Sequence, residues 1–404
     1  MAAGREAWSV KRVVDKLRHV AVHQRTVSLA PRGPARGNVL VSYIHHPFLR
    51  TSEPLPNTHT HFWESVQIVL TYLHAGYAVD VMSFHNRTFR PRKTYELFSD
   101  PRWNLERLAG RLNDDCIRVM HIDTAHMTYQ NAAESQRLLE LQQRRRVTLQ
   151  PRRFERPNLG IEHADCGVII GNTVTMSTYA YARKPLHPVP MTSGVTFDAP
   201  GSKDFEASRK RFVWFGSGGM VLKGLDLALE VFAGNPDLEL TVCGPVEREP
   251  DFAKAYRKEL YETPNITTLG WVDVTSAKFQ KVLNTSLGVV YPSCSEGQSG
   301  AVVLCLHAGL IPICSRETGL DVTNDIGVQL ADCSLDTIEA AIRALTERPT
   351  DELATMSRRA WERARRQHSR EAFASRYRRI VDELLGSERQ DVLVRPLGQT
   401  PAGR

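Results

Sequence analysis

The sequence predicts an α/β protein built from two Rossmann-like, doubly wound domains facing one another across a cleft. Short apolar runs alternate with helix-period segments, the pattern of parallel sheets covered by helices. The alternation comes in two series, separated by a stretch from Pro185 to Lys203 that holds four prolines and reads as a hinge. The 404 residues also exceed the roughly 250 to 300 at which a single hydrophobic core stops growing.

Taken in order, residues 1–37 form an N-terminal extension with one amphipathic basic helix. In it Val10, Val13, Val14, Leu17 and Val20 share a face opposite Lys11, Arg12, Lys16 and Arg18. That helix could rest on an anionic membrane surface as a peripheral contact, or pack on the first domain or on a neighbouring chain. Residues 38–190 read as the first domain. Its strands are Asn38 to Ile44, Tyr77 to Phe84, Cys116 to Ile122 and His163 to Gly171, with helices at His61 to Gly76 and Asn131 to Arg145. Residues 191–370 read as the second. Strands at Arg211 to Phe215, Leu238 to Gly244, Ile266 to Leu269, Leu287 to Pro292 and Leu310 to Ser315 alternate with helices at Gly224 to Phe232, Phe252 to Leu260, Ala277 to Leu283 and Ala301 to Ala308. Helices from Ser334 to Glu347, Asp351 to Arg366 and Glu371 to Leu385 follow, and 387–404 reads as a disordered tail.

Composition narrows the class. No run approaches the roughly 18 uninterrupted apolar residues of a membrane span, and the first thirty residues lack a signal-peptide core, so a cytoplasmic protein is expected, with contact at the inner membrane face through the basic helix left open. The seven cysteines are odd in number and contain no C-x-x-C pair, which fits reduced core residues. Lys and Arg total 52 against 45 acidic residues, a charge of +7 concentrated between Arg358 and Arg379. With no nucleic-acid module beside it, that basic face is read as solvated, and no nucleic-acid partner is expected.

The chemistry gathers at strand ends. Tyr291 to Gly309, YPSCSEGQSGAVVLCLHAG, ends an apolar strand, turns on Glu296, Gly297, Gln298, Ser299 and Gly300, and opens a helix. Glycines admit a ligand close to the backbone, and the unpaired first amides of a helix favour an anion. A carboxylate there, Glu296, needs hydroxyls to accept from, and a sugar attached to the anion would supply them. A second glycine turn, Gly216-Ser217-Gly218-Gly219, precedes Lys223, a point charge for phosphate. Gly244-Pro245 and Gly270-Trp271-Val272 end two further strands at the same edge. No metal ligand set is complete: His45, His46, His59 and His61 lack the carboxylate or cysteine partners of a known one.

The ordered series FVWFGSGGMVLKGLD, LELTVCGP, NITTLGWVD and VVYPSCSEGQSGAVVLCLHAGLIPICSRETG resembles the nucleotide-binding domain of the GT-B glycosyltransferases, most closely the large retaining family four. The resemblance covers Phe212 to Gly319 well and the first domain more loosely. It implies transfer of a sugar, hexosyltransferase-like, from a nucleotide-diphosphate co-substrate to a hydroxyl acceptor, with retention and without a metal or other cofactor. Lys223 would bind the donor phosphate, Glu296 the sugar hydroxyls, Gly270 to Asp273 the base, and the amides of Gly297 to Gly300 the sugar and diphosphate. Residues 371–386 would be a helix crossing back to the first domain. A histidine after the strand CIRVM would meet the donor sugar, with His126 preferred over His121, and Asn172 is a further crevice residue or a helix cap.

Departures accompany the match. The second glutamate expected eight residues after Glu296 is Leu304, the arginine expected in the first glycine turn is absent, with Ser217, Gly218 and Gly219 standing there, and the glycine pair of the first domain is replaced by His45-His46-Pro47. They keep open a second reading, a non-catalytic subunit that binds nucleotide or glycan and scaffolds a partner enzyme.

Overall fold

A computed structural model describes residues 22–49, 60–201 and 203–386. The first lobe is a seven-stranded sheet of β1 (Thr26–Leu29), β2 (Asn38–Tyr43), β3 (Ala78–Ser83), β4 (Leu97–Asp100), β5 (Ile117–Ile122), β6 (Cys166–Ile170) and β7 (Leu186–Val189), in spatial order β1-β3-β2-β4-β5-β6-β7. All its pairings are parallel except β1 with β3. The second lobe is a parallel six-stranded sheet of β8 (Arg211–Phe215), β9 (Glu239–Cys243), β10 (Ile266–Gly270), β11 (Gly288–Tyr291), β12 (Ile311–Cys314) and β13 (Val328–Gln329), ordered β10-β9-β8-β11-β12-β13. Strands covered on both faces must be apolar throughout, and Val39, Leu40, Val81, Phe212, Val289 and Ile313 are fully buried.

In each sheet the strand order reverses once. β2 sends the chain to β3 on one side and β4 on the other, and β8 lies between β9 and β11. Loops leaving neighbouring strands on opposite sides of such a switch point diverge and leave a crevice at the carboxyl ends. The loop after β8 and the loop after β11 therefore meet, although far apart in the chain.

Three strands of the first lobe escape a reading by periodicity. β1 is a four-residue edge with alternating exposure, β4 carries two buried polar residues in Ser99 and Asp100, and β7 contains Pro188 within what reads as a hinge. Proline lacks an N–H, and β7 tolerates it as the outermost strand. The helix expected over Phe252 to Leu260 is two helices, Pro250–Ala255 and Arg257–Tyr261, broken at the buried Tyr256. The amphipathic helix expected around Val10 to Val20, His59 and the 387–404 tail lie outside the described residues.

The lobes are tied together in two ways. The terminal helix, Arg370–Leu385, lies on the first lobe: Tyr377 and Tyr72 hydroxyls are 3.2 Å apart, and Phe373 meets Trp63 edge-on at 5.9 Å. The helix Met127–Arg145, capped by the His126 ring, sends arginines the other way. Arg137 donates to the Pro292 carbonyl at 3.0 Å, Arg144 pairs with Asp226 at 2.7 Å and Glu230 at 3.1 Å, and Arg145 pairs with Glu259 at 2.7 Å.

Candidate functional site

The crevice of the second sheet brings Lys223 and Glu296 together. Lys223 Nζ donates to Glu296 Oε1, which also accepts from the Tyr291 hydroxyl at 3.1 Å. Lys223 is 5% exposed, and its ammonium stands 5.7 Å from the Tyr291 ring centroid. Burial pulls the lysine below its usual range, and the carboxylate of Glu296 opposes that shift. The same burial, with Glu296 beside it, holds the Tyr291 phenol well above its ordinary value. Gly216 and Gly244 are required by close approach, since a Cβ at either would come within 2.8 Å of the buried Trp214 ring. Pro245 follows at the head of a short turn of helix over Val246–Arg248. Trp271 is exposed, with the Arg248 guanidinium 5.4 Å over its ring, and Val272 is buried next to it.

The glycine turn after β8 is not vacant. The amides of Gly219 and Met220 donate to the Glu249 carboxylate at 2.5 and 3.2 Å, and Glu249 is 5% exposed. Ser217 is exposed and Gly218 lies 3.5 Å, at its Cβ position, from the same carboxylate. Gly219 holds φ at +93°, and the stem of Arg153, from the first lobe, lies against it.

The loop after β11 is docked rather than open. A Cβ on Gly297 would come within 2.3 Å of the Asp123 carbonyl and 2.8 Å of the Ile170 carbonyl, and Thr175 Oγ1 donates to the Gly297 carbonyl at 3.1 Å. Gln298 Oε1 accepts from the Met191 amide at 2.7 Å. Ser299 caps the helix Gly300–His307 through the Val302 amide, and Gly300 faces Met191. A cleft of about 680 Å³ adjoins Gln298 on the hinge side, with Asp321, Arg363 and Arg376 on its walls.

Across from this loop, the first lobe presents a polar cluster at the ends of β2 and β5. Tyr43 and Glu64 converge on one nitrogen of His61, with Nδ1 2.6 Å from the Tyr43 hydroxyl and 2.8 Å from Glu64 Oε2; Glu64 also accepts from Thr192 at 2.9 Å. Burial opposes ionisation of Asp123, yet Arg102 at 3.0 Å, aided by His61 and His121, holds its carboxyl below the usual range. His121 is buried against the Tyr43 ring with neither ring nitrogen hydrogen-bonded, and burial pushes it down to about 4. His126 lies at the border of that cluster: its ring accepts from the Thr128 amide and meets the Tyr181 hydroxyl at 3.0 Å, which donates in turn to Glu162. With Arg102, Asp123 and Tyr179 it lines a cavity of about 10 Å³, room for about one water. Asn172 caps Thr173–Ser177 and also bridges lobes through the Arg316 carbonyl at 3.1 Å. Among the described residues no three His, Cys, Asp or Glu side chains converge as metal ligands.

The structure thus joins Lys223, Glu296 and Gly297 at one locus, puts His121 at the facing edge, and leaves Trp271 at the rim. Sequence reading missed Glu249, Arg153 and the Tyr43, His61, Glu64 group. Glu249 and Arg153 act through contacts distant in sequence, and His61 enters the sequence reading only as a candidate metal ligand, not as the partner of Tyr43 and Glu64; the polar side chains buried on the Met127–Arg145 helix, Gln130, Glu134 and Arg137, mark a covered face.

No protein-family profile and no curated protein sequence matches the chain. Solved structures do. Sucrose-phosphate synthase from Thermosynechococcus elongatus superposes with a TM-score of 0.58 at 14% identity, covering 87% of this chain and 100% of that one. Anabaena HepE in complex with UDP-glucose gives 0.53 at 11%, covering 87% and 100%. Staphylococcus aureus TarM, in a complex containing UDP, gives 0.50 at 13%, covering 70% of this chain and 54% of that one, so the chain spans about half of TarM. The architecture is the GT-B fold, two Rossmann-like lobes across a cleft. Among the described residues no helix is long and apolar enough to cross a membrane.

Proposed function

We propose that the chain is a glycosyltransferase that moves a sugar from a nucleoside diphosphate sugar to a hydroxyl of a glycan, a lipid-linked intermediate or a small molecule. One observation carries the reading: a buried lysine and a carboxylate meet at the switch point of the second sheet, opposite the polar edge of the first. A lysine there can take the charge of a departing diphosphate, and a carboxylate can accept from sugar hydroxyls. In the resting chain each neutralises the other, and a donor would replace both halves of that pair with its own groups. The bond from the anomeric carbon to the β-phosphate oxygen breaks while the acceptor oxygen bonds to that carbon. The acceptor proton passes to the departing phosphate oxygen, with configuration retained and no metal required by the residues named. Closure of the lobes excludes water from the reacting carbon. GT-B neighbours with UDP or UDP-glucose bound support the choice of donor class.

A second reading, a subunit that binds nucleotide or glycan and scaffolds a partner, is favoured by the self-satisfied state of the site: Glu296 spent on Lys223, Glu249 on the glycine turn, and Leu304 where a second carboxylate would stand. Thermal-shift titration with UDP, GDP and ADP, followed by nucleotide release from the matching sugar donors, separates the two. Stabilisation with release supports transfer; stabilisation without release over a broad acceptor set supports the scaffold; no stabilisation by any nucleotide defeats transfer and leaves only a glycan-binding scaffold.

A further inference from the structure

Four observations meet on one face of the glycine turn after β8. First, two successive backbone amides, Gly219 and Met220, point at a single acceptor, and that acceptor is the Glu249 carboxylate, buried and supplied by the chain itself. Paired amides converging on one anion form a concavity of the kind that binds phosphate. Second, Lys223 lies a few residues further along the same turn. Third, the stem of Arg153 crosses from the first lobe onto Gly219, where a Cβ would come within 2.5 Å of its Cγ, and among the described residues its guanidinium makes no ion pair. The field of that guanidinium disfavours the charge on Lys223, as two cations sharing a small volume must. Fourth, Arg153 is not a loose surface side chain at its root. Its amide donates to both oxygens of the buried Glu134 at 3.1 Å, and the Arg152 amide donates to Glu134 Oε1 at 2.8 Å, which fixes the backbone that aims the side chain at the second lobe.

We infer that these groups form a diphosphate site assembled across the lobe boundary, with the Gly219 and Met220 amides and Lys223 from the second lobe, Arg153 from the first, and Glu249 as its internal occupant. The inference deepens the proposed function and rests on it for the chemistry of the ligand. Charge counting shows why Glu249 must yield. With Glu249 and Glu296 in place, the two cations are already balanced by two carboxylates, and a diphosphate added to them would face net repulsion. With Glu249 withdrawn, the two amides are released and join the Arg153 fork in facing two phosphate oxygens. The segment carrying Glu249 is itself latched to the first lobe, since Asp251 accepts from the Gln150 amide at 3.0 Å and pairs with Arg152. Ligand entry and the latch therefore share a part, and a diphosphate that engages Arg153 ties the lobes as Asp251 does now.

The test is isothermal titration of the full chain with UDP, GDP and ADP, using inorganic pyrophosphate as competitor. Arg153→Ala should weaken the nucleotide that wild type binds by about tenfold or more, the loss of one charge-assisted contact, with Arg153→Lys in between. Glu249→Gln, which keeps shape but removes charge, should tighten it severalfold. Nucleotide binding by Arg153→Ala within about twofold of wild type overturns the role of Arg153. Should Arg153→Ala melt early, the Glu249→Gln arm decides, and unchanged affinity there overturns the site. Wild type that binds none of the nucleotides and no pyrophosphate defeats the functional reading itself, an outcome distinct from these.

Discussion

Removing Lys223 should cost the protein stability as well as any chemistry, and the two losses can be separated. In Lys223→Ala, the Glu296 carboxylate, whose side chain is 13% exposed, keeps the Tyr291 hydroxyl but loses its cation. Breaking a buried pair from one side costs about 3–5 kcal/mol, and the remaining hydrogen bond and partial exposure place this case near the lower end, about 3 kcal/mol. For a lobe of this size that corresponds to about 6–12 °C in melting temperature. Lys223→Met combined with Glu296→Gln removes both charges and keeps the volume, so it should melt within about 1 kcal/mol of wild type. Differential scanning calorimetry on wild type, Lys223→Met, Glu296→Gln and the double variant closes a double-mutant cycle, with an expected coupling of about 2 kcal/mol. A single Lys223→Ala variant that melts with wild type would refute the claim that the pair is buried and mutually dependent. The double variant then provides a folded protein in which to measure nucleotide release, expected to be lost; release at the wild-type rate would remove both residues from the chemistry.

Acid should destabilise the fold through two buried histidines. His121 and His368 are both pushed down to about 4 by burial, against an ordinary value near 6.5. Because the folded values are depressed, the unfolded chain binds more protons between pH 6.5 and 4. Stability is full above that window and falls through it by about 3 kcal/mol per histidine. Urea midpoints at pH 7 and pH 5 should show the fall, and His121→Phe should remove its share; an unchanged slope in that variant would contradict the assignment. Gly297→Ala places a methyl against the Asp123 and Ile170 carbonyls, so the lobes must part locally at a cost of about 1–3 kcal/mol. Limited proteolysis should then cut faster between the lobes, and a cleavage rate equal to wild type would argue against this contact as a latch.

The parts of the fold legible in sequence are those where burial on both faces forces a continuous apolar run, as in Asn38–Tyr43 and Gly288–Tyr291. β4 was not legible because its Ser99 and Asp100 are buried by hydrogen bonding rather than by apolarity; Asp100 accepts from the Arg102 and Asn104 amides at 2.9 Å. For the site, glycines after apolar strands marked loops that lie at the crevice, but which loops adjoin depends on strand order, and β8 beside β11 is a fact of topology. The helix over Asn131 to Arg145 was legible, but the lobe-bridging roles of Arg137, Arg144 and Arg145 were not, since periodicity finds a polar face without saying what covers it. Glu249 and Arg153 carry no local pattern at all, and the meaning of each comes from the backbone or side chain it meets.

The peptide passes between the lobes twice, after β7 and again before the terminal helix, and the two passages touch: the His368 ring donates to the Met191 carbonyl at 3.1 Å. Two adjacent pivots define a line, so swinging about that line is the soft coordinate, while sliding or twisting would strain both strands at once. Such a swing carries the turn after β8 and the loop after β11 away from the opposing edge together, which makes access to both a single event rather than two.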